Sequence, residues 1–274
     1  MRGGVQYMNL EYCRKFGIPD RIRHVISLGA GVQSSTIALM ATHGEITPMP
    51  EFCLFADTQD EGLDTYKWLE YLKPLLSFPV YTCTRNRLSE HLVEGGHSHL
   101  PIFRRTTTGK KELGKRQCTT KWKLAPIYRE IRELTGLKHR RLPDGYFHLW
   151  QGITTDEASR MKPCKFTWIT NTYPLIDLGM SRGDCLRWLS KNGYETPPKS
   201  SCVYCPYQSL SQWKAREQKG GEDWQLVLKV EKELMERGEY LNQHLLPIST
   251  YVKLKAVKKE PNHFINECSG ICGV

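Results

Sequence analysis

Residues 27–35 read Ser27-Leu28-Gly29-Ala30-Gly31-Val32-Gln33-Ser34-Ser35. They follow from the apolar run His24–Leu28 and lead into helical sequence, Ser34–Thr42, that Gly44 stops. A strand, a glycine turn and a hydroxyl-rich helix start make an anion cradle. The N–H groups of the first helical turn point out of the helix, and the helix dipole favours negative charge there. Gly29 and Gly31 let a ligand approach the backbone closely, and Ser34, Ser35 and Thr36 offer hydroxyl donors. The stretch matches neither GxxxxGK[ST], for want of a lysine, nor GxGxxG. Its plain alternative is a strand–helix turn capped by serine.

Outward from this motif the chain alternates. Phe52–Ala56 reads as a second buried strand, Leu63–Lys73 as a helix ended by Pro74, Pro79–Cys83 as a third strand and Tyr146–Trp150 as a fourth. Leu124–Leu134 and Glu222–Arg237 have helical spacing, the latter with Trp224, Leu228 and Leu234 as apolar positions. Strands separated by helices predict an α/β fold: a mostly parallel five-stranded sheet with helices on both faces. Ligands of such sheets bind beyond the carboxyl ends of the strands. That places the interest on Gly29–Ser35, Asp57–Glu61 and Gly152–Arg160. The expected division is an adenine-nucleotide-binding α/β domain over 1–200 and a cysteine-containing region over 201–274.

The 274 residues are 39% hydrophobic and 25% charged, which excludes disordered and collagen-like classes. No apolar run reaches the roughly 18 residues of a membrane span. The first twenty residues lack the apolar core of a secretory signal. A cytoplasmic protein is expected. The net charge of +10 favours anionic partners. Within Arg104–Lys123 the basic residues crowd into a stretch that Gly109 and Gly114 predict to be mobile.

Ten cysteines with no signal sequence point to metal or thiol chemistry rather than disulfides. Cys53 and Cys83 lie in apolar runs and read as core residues. Asp57, just after a strand, suits a ribose hydroxyl or a metal, or else an N-cap. Asp156, Glu157 and Arg160 could face a nucleotide or simply open a helix. Cys118, among cations, suits a metal ligand or a nucleophile, or is an ordinary loop cysteine. Cys202-Val203-Tyr204-Cys205 brings two sulfurs within reach of one metal. It also admits a redox pair, or a four-cysteine zinc site with Cys268 and Cys272.

Taken in order, these motifs resemble the phosphoadenylyl-sulfate (PAPS) reductase family of the PP-loop adenine nucleotide alpha-hydrolase superfamily. The resemblance runs from Ile26 to Cys205, with the tail. Gly29–Ser35 stands where the family has an SGGKDS-type loop, with Val32-Gln33 in place of Lys-Asp. Asp57-Thr58 matches its DT. Cys118, Lys123 and Pro126 match CCxxxKxxP, with Thr119 at the second cysteine. Gly152–Arg160 loosely matches GxRxxxSxxR, with Thr154 at the first arginine and Arg160 one residue early. Tyr173–Ile176 and Arg182–Tyr194 resemble NPLxxW and the helix after it, and Glu267-Cys268 resembles ECG.

The resemblance implies an adenine nucleotide, ATP or PAPS/APS, with magnesium as a companion ion. Ser27, Gly29, Gly31, Gln33, Ser34, Ser35, Asp57, Gly152 and Arg160 would bind it. It implies a [4Fe–4S] cluster on Cys118, Cys202 and Cys205, whose fourth ligand is Cys185, Cys268, Cys272 or an open position. Zinc is the alternative. Cys268 or Cys272 would be the catalytic thiol. The implied chemistry is ATP-dependent sulfur transfer to a nucleic acid, and the implied partners are a nucleic acid (tRNA or DNA) or a sulfur-donor protein. The alternatives are PAPS/APS reduction by the tail thiol and a zinc-stabilised nucleic-acid-binding accessory protein.

Overall fold

Val25, Ile26, Ser27 and Leu28 are all buried, although a strand with one wet face would alternate. Both faces of this strand are covered, so its sequence is apolar nearly throughout. Ile26 and Leu28 join Cys53, Phe55 and Trp150 in one core. Val25 joins Phe52, Leu54, Ala56, Phe147 and Leu149 in another, on the opposite face.

The computed structural model describes residues 10–94 and 99–254. In chain order the elements are Leu10–Phe16 (α1), Arg23–Leu28 (β1), Val32–Thr42 (α2), Phe52–Asp57 (β2), Leu63–Leu72 (α3), Val80–Thr84 (β3), Leu88–Val93 (α4), Phe103–Arg105 (β4), Lys111–Leu113 (β5), Ala125–Leu134 (α5), Phe147–Gln151 (β6), Ile169–Thr172 (β7), Pro174–Asp177 (α6), Arg182–Lys191 (α7), Leu210–Lys219 (α8), Gly221–Met235 (α9), Glu239–Tyr240 (β8) and Ile248–Tyr251 (α10). The main sheet has five strands in the order β3-β2-β1-β6-β7. All four of its pairings are parallel. This is the α/β architecture expected from the sequence. Residues of α2, α3 and α7 fill one face and residues of α5 the other. Chain order runs outward from β1 to β3 on one side and from β6 to β7 on the other. The order therefore reverses between β1 and β6, where open parallel sheets bind their ligands.

Local chemistry sets the boundaries. The α-helical part of the expected Leu63–Lys73 helix ends at Leu72, and Pro74 lies within a 3-10 turn, Lys73–Leu75, that follows it. Pro126 is the second residue of α5, but helical residues run straight into it, so its missing N–H leaves a carbonyl of the preceding turn without a helical donor. A π-helical stretch, Thr119–Leu124, precedes it. The basic stretch contains an antiparallel hairpin, β4 with β5, and β8 adds to its free edge.

A third core lies beside the sheet. It combines Leu88 and Leu92 of α4, Leu100, Ile102 and Trp122 with Val203, Tyr204, Trp213 and the buried side of α9. That side is Trp224, Val227, Val230, Glu231 and Leu234, rather than the expected stripe through Leu228, which is only partly buried. Among the described residues no helix is long and apolar enough to cross a membrane.

Glu231 is an acid inside this core. Its carboxylate accepts the Ile248 N–H at 2.6 Å. Burial pushes the carboxyl up to about 7, although that hydrogen bond opposes the shift. A folded-state value above the unfolded one means that the folded protein holds the proton longer. Stability therefore falls as pH rises from about 4.5 to about 7. Glu231→Gln is expected to flatten this fall and to raise the melting temperature at pH 8, by about 2–4 °C for each kcal/mol recovered. Melting curves of both proteins across pH 4.5–8 check it.

Candidate functional site

The first turn of α2 carries no side-chain cap among the described residues: its N-cap is Gly31. An uncapped N-terminus leaves backbone donors for an outside partner. The turn leading to it takes its left-handed residue at Ala30 (φ 54°), flanked by the two glycines. Such a conformation costs a non-glycine residue about 1–2 kcal/mol. The Ser34 hydroxyl accepts the Gly29 N–H at 3.1 Å and so braces the turn from inside.

A cleft opens in front of this turn. Gly29, Gly31, Val32, Gln33 and Ser34 line one wall, with Gly152, Arg182, Pro198, Lys199 and Ser200 around them. Gly152 follows β6 and lies against α2. A Cβ there would stand 2.7 Å from the Ser34 nitrogen, 3.0 Å from its Cα and 3.1 Å from the Gln33 carbonyl carbon. Ser200 is 5% exposed. Its hydroxyl has no hydrogen-bond partner among the described residues.

Gln33 is the hub of the polar contacts. Its Oε1 accepts from Arg182 Nη1 at 3.0 Å. Its Nε2 faces Glu157 Oε2 at 3.4 Å. Glu157 is in turn paired with Arg160. Thus the structure brings together Gly29, Gly31, Gln33, Ser34 and Gly152, and reaches Arg160 through Glu157. Glu157 lies in a short 3-10 stretch, Thr155–Arg160, rather than at the start of an α-helix.

Other expected residues lie elsewhere. Ser35 is fully buried. Its hydroxyl accepts the Trp68 indole N–H at 2.9 Å, so it ties α2 to α3 and does not line the cleft. Ser27 is buried within β1, its hydroxyl without a partner among the described residues. Asp57 ends β2 and does not line the cleft; its Oδ1 accepts from the Gln59 N–H and the Tyr66 hydroxyl, each at 2.7 Å. Cys268 and Cys272 lie outside the described residues.

The cysteine motif lies against the residues that follow β2. Val203 N–H donates to Asp60 O at 2.9 Å. The Cys202 sulfur is 3.1 Å from Thr58 Oγ1 and 3.8 Å from Glu61 Oε1. Glu61 accepts from Lys123 Nζ at 2.9 Å in a buried pair. Burial, and then the Glu61 charge, push the Cys202 thiol well up, with Lys123 opposing. A thiol in that state is a weak nucleophile. Cys118 precedes the π-helical stretch, and its N–H donates to His99 O at 2.8 Å. Arg116 lies over the Tyr207 ring, 5.0 Å from its centre, which ties the segment before Cys118 to the one after Cys205.

Among the described residues no group of three or more His, Cys, Asp or Glu side chains could hold a metal ion. Cys185, a suggested fourth ligand, is fully buried at the packing of α7 against α2. Burial pushes its thiol up to about 12.

Arg182, Lys199 and Ser200 were not legible as site residues. Arg182 meets Gln33 across 149 positions of sequence. The one local signal was Lys199-Ser200-Ser201 immediately before Cys202.

A solved PAPS reductase from Candida auris, in its phosphate complex, is similar to this chain at 13% identity, covering 70% of this chain and 83% of that one with a TM-score of 0.40. No protein-family model matches the chain, and no curated protein matches it in sequence.

The two faces of the α2 start give separable expectations. Gly152→Ala pushes a methyl group into backbone, so a loss of about 1–3 kcal/mol is expected, with weakened anion binding. Ser35→Ala orphans a buried indole N–H and should lower stability by about 1–3 kcal/mol, leaving ligand affinity as it was. Denaturant unfolding and phosphate titration of both variants measure the contrast.

Proposed function

We propose that the protein binds an adenine nucleotide through its phosphates at the cleft between β1 and β6 and uses it in adenylate-dependent sulfur chemistry. The observation that carries this is the start of α2, which has no side-chain cap, faced by the buried hydroxyl of Ser200, which has no partner, both among the described residues, at the point where strand order reverses. Backbone N–H groups, a hydroxyl and two cations, Arg182 and Lys199, converge on one small volume. That is the donor chemistry a phosphate needs, since every one of its oxygens is an acceptor. The order of motifs along the chain supports adenine as the base.

In the favoured form, ATP activates an acceptor oxygen, pyrophosphate leaves, and a sulfur nucleophile displaces AMP. The cleft residues hold the phosphates and orient the bond to be broken. A nucleic acid is the proposed acceptor, supported by the +10 net charge and by the exposed residues Arg104, Arg105, Lys110, Lys111 and Lys115 on and beside the β4–β5 hairpin. Reduction of PAPS or APS by a tail thiol uses the same cleft. No step is routed through a metal. The cluster and the zinc ion stay proposals of the sequence, which iron, sulfide and zinc analysis of anaerobically purified protein decides.

Ser200 supplies the test. Removing a buried hydroxyl that has no partner leaves the unliganded protein as stable or slightly more so. Ser200→Ala is therefore expected to keep or raise the melting temperature while weakening ATP binding by about 0.5–1.5 kcal/mol. Calorimetric titration of ATP and of adenylyl sulfate into both proteins measures it. Equal affinities in the two proteins would remove the assignment.

A further inference from the structure

His24 and His148 stand side by side near the amino ends of β1 and β6, in register across the parallel pair. Their rings meet edge to face, 5.0 Å between centres. The Trp150 indole N–H donates to His24 Nδ1 at 3.1 Å. These three rings line a pocket of about 290 Å³. It lies toward the other end of the strands from Gly29 and Gly152, which follow their carboxyl ends. Imidazoles are costly residues for a sheet face that only packs, since each brings two polar atoms into a half-buried position.

We propose that this pocket is a second ligand site, for an uncharged planar heterocycle of nucleobase size. It stands apart from the phosphate cleft and does not depend on it. The first argument is charge. The Trp150 hydrogen bond needs a lone pair on His24 Nδ1, so His24 is neutral and carries its proton on Nε2. Burial, and then His148 beside it, push the His24 imidazole down to about 4, with Glu51 opposing. Burial also pushes His148 down. Among the described residues no Lys or Arg lines the pocket, whereas the exposed carboxylates of Glu45 and Asp177 do. An anion finds no counter-charge there and is repelled. Nor do the described residues bring the third His, Cys, Asp or Glu side chain that a metal ion would need.

The second argument is hydrogen bonding. The His24 tautomer leaves Nε2–H as a donor, and neutral His148 has one donor and one acceptor. Thr172, opposite Trp150 on β7, also lines the pocket, and its hydroxyl is buried without a partner among the described residues. Mixed donors and acceptors are what the edge of a nucleobase pairs with. The third argument is shape. Ile46, Pro174 and Leu178 add apolar wall to the three rings, and aromatic side chains stack on the face of any base. The volume is at the small end of ligand sites, which run from roughly 300 to 1,000 Å³. It suits a single heterocycle, and the two carboxylates favour a nucleoside over its nucleotide.

The test titrates adenosine, guanosine, cytidine, uridine and AMP into wild-type protein, His24→Phe, His148→Phe, Thr172→Val and Ser200→Ala. Calorimetry gives the affinities, and the imidazole C–H NMR signals of His24 and His148 report the place of binding. At least one nucleoside is expected to bind and to shift both signals. Each histidine variant keeps an aromatic ring but loses hydrogen bonds, and should weaken that nucleoside about three- to tenfold. Ser200→Ala, in the other cleft, should leave its affinity as it was, and AMP should shift the histidine signals less than adenosine does. Should His24→Phe unfold for want of the Trp150 bond, His148→Phe and Thr172→Val carry the comparison. If no nucleoside moves the histidine signals, the inference is overturned and the phosphate cleft is unaffected. Nucleoside binding that Ser200→Ala weakens and the histidine variants do not belongs to the cleft, and overturns the inference equally.

Discussion

The fold's functional geometry depends on the contact between Gly152 and the first turn of α2. Two parallel strands leave the sheet side by side, one turning into a helix and the other into a loop. Their ends come together only because residue 152 has no side chain: a methyl group would overlap the Ser34 nitrogen. The close approach sets the α2 N-terminus beside the β1–β6 reversal and gives the cleft its back wall. Ser34 holds the turn from within through the Gly29 N–H. Ser35, about 100° further round the helix, anchors the other side to Trp68. One residue step along the sequence thus separates a hydroxyl that shapes the cleft from one that belongs to the core.

Around the same strand ends, polar atoms are buried without partners among the described residues. They are the hydroxyls of Ser27, Thr154 and Ser200 and the amide nitrogen of Gln151. Each unsatisfied group costs about 1–3 kcal/mol, so a segment selected for stability alone would replace them with apolar residues. Their concentration at the end of the sheet where ligands bind, together with an uncapped helix, marks a region whose local choices disagree with stability. Such disagreement is characteristic of functional sites.

What the sequence made legible follows from range. Apolar runs such as FCLFA and the turn after HVISL are local signals, so strands and the anion cradle could be read directly. The β4–β5 hairpin could not, because its strands are three residues each, Phe103-Arg104-Arg105 and Lys111-Glu112-Leu113, with no apolar alternation. β7 was missed for a similar reason: Ile169–Thr172 is four residues long with one apolar side chain. Arg182, Lys199 and Ser200 enter the cleft from distant segments, and the only local mark on them is the Lys199-Ser200-Ser201 run before Cys202. The cysteine spacing likewise gave a pair of neighbouring sulfurs but not their surroundings, which the fold fills with Thr58, Glu61 and Lys123.

Those surroundings change what the acidic segment after β2 can be. Asp57 accepts from Gln59 and Tyr66. Asp60, buried, accepts from Arg87 at 2.9 Å, from the Ser89 N–H at 2.6 Å and from the Tyr204 hydroxyl at 2.6 Å. Glu61 holds Lys123. Each carboxylate is bound to the protein itself, and two of the three reach into the third core. Removing one partner of such a buried pair leaves an uncompensated charge, which costs about 3–5 kcal/mol. The segment therefore acts as a tie. It fixes the turn of Cys202–Cys205 against the end of β2. The Cys202 thiol is thereby buried beside the Glu61 carboxylate, and burial first and that charge second push it up, against Lys123 and the Thr58 hydroxyl.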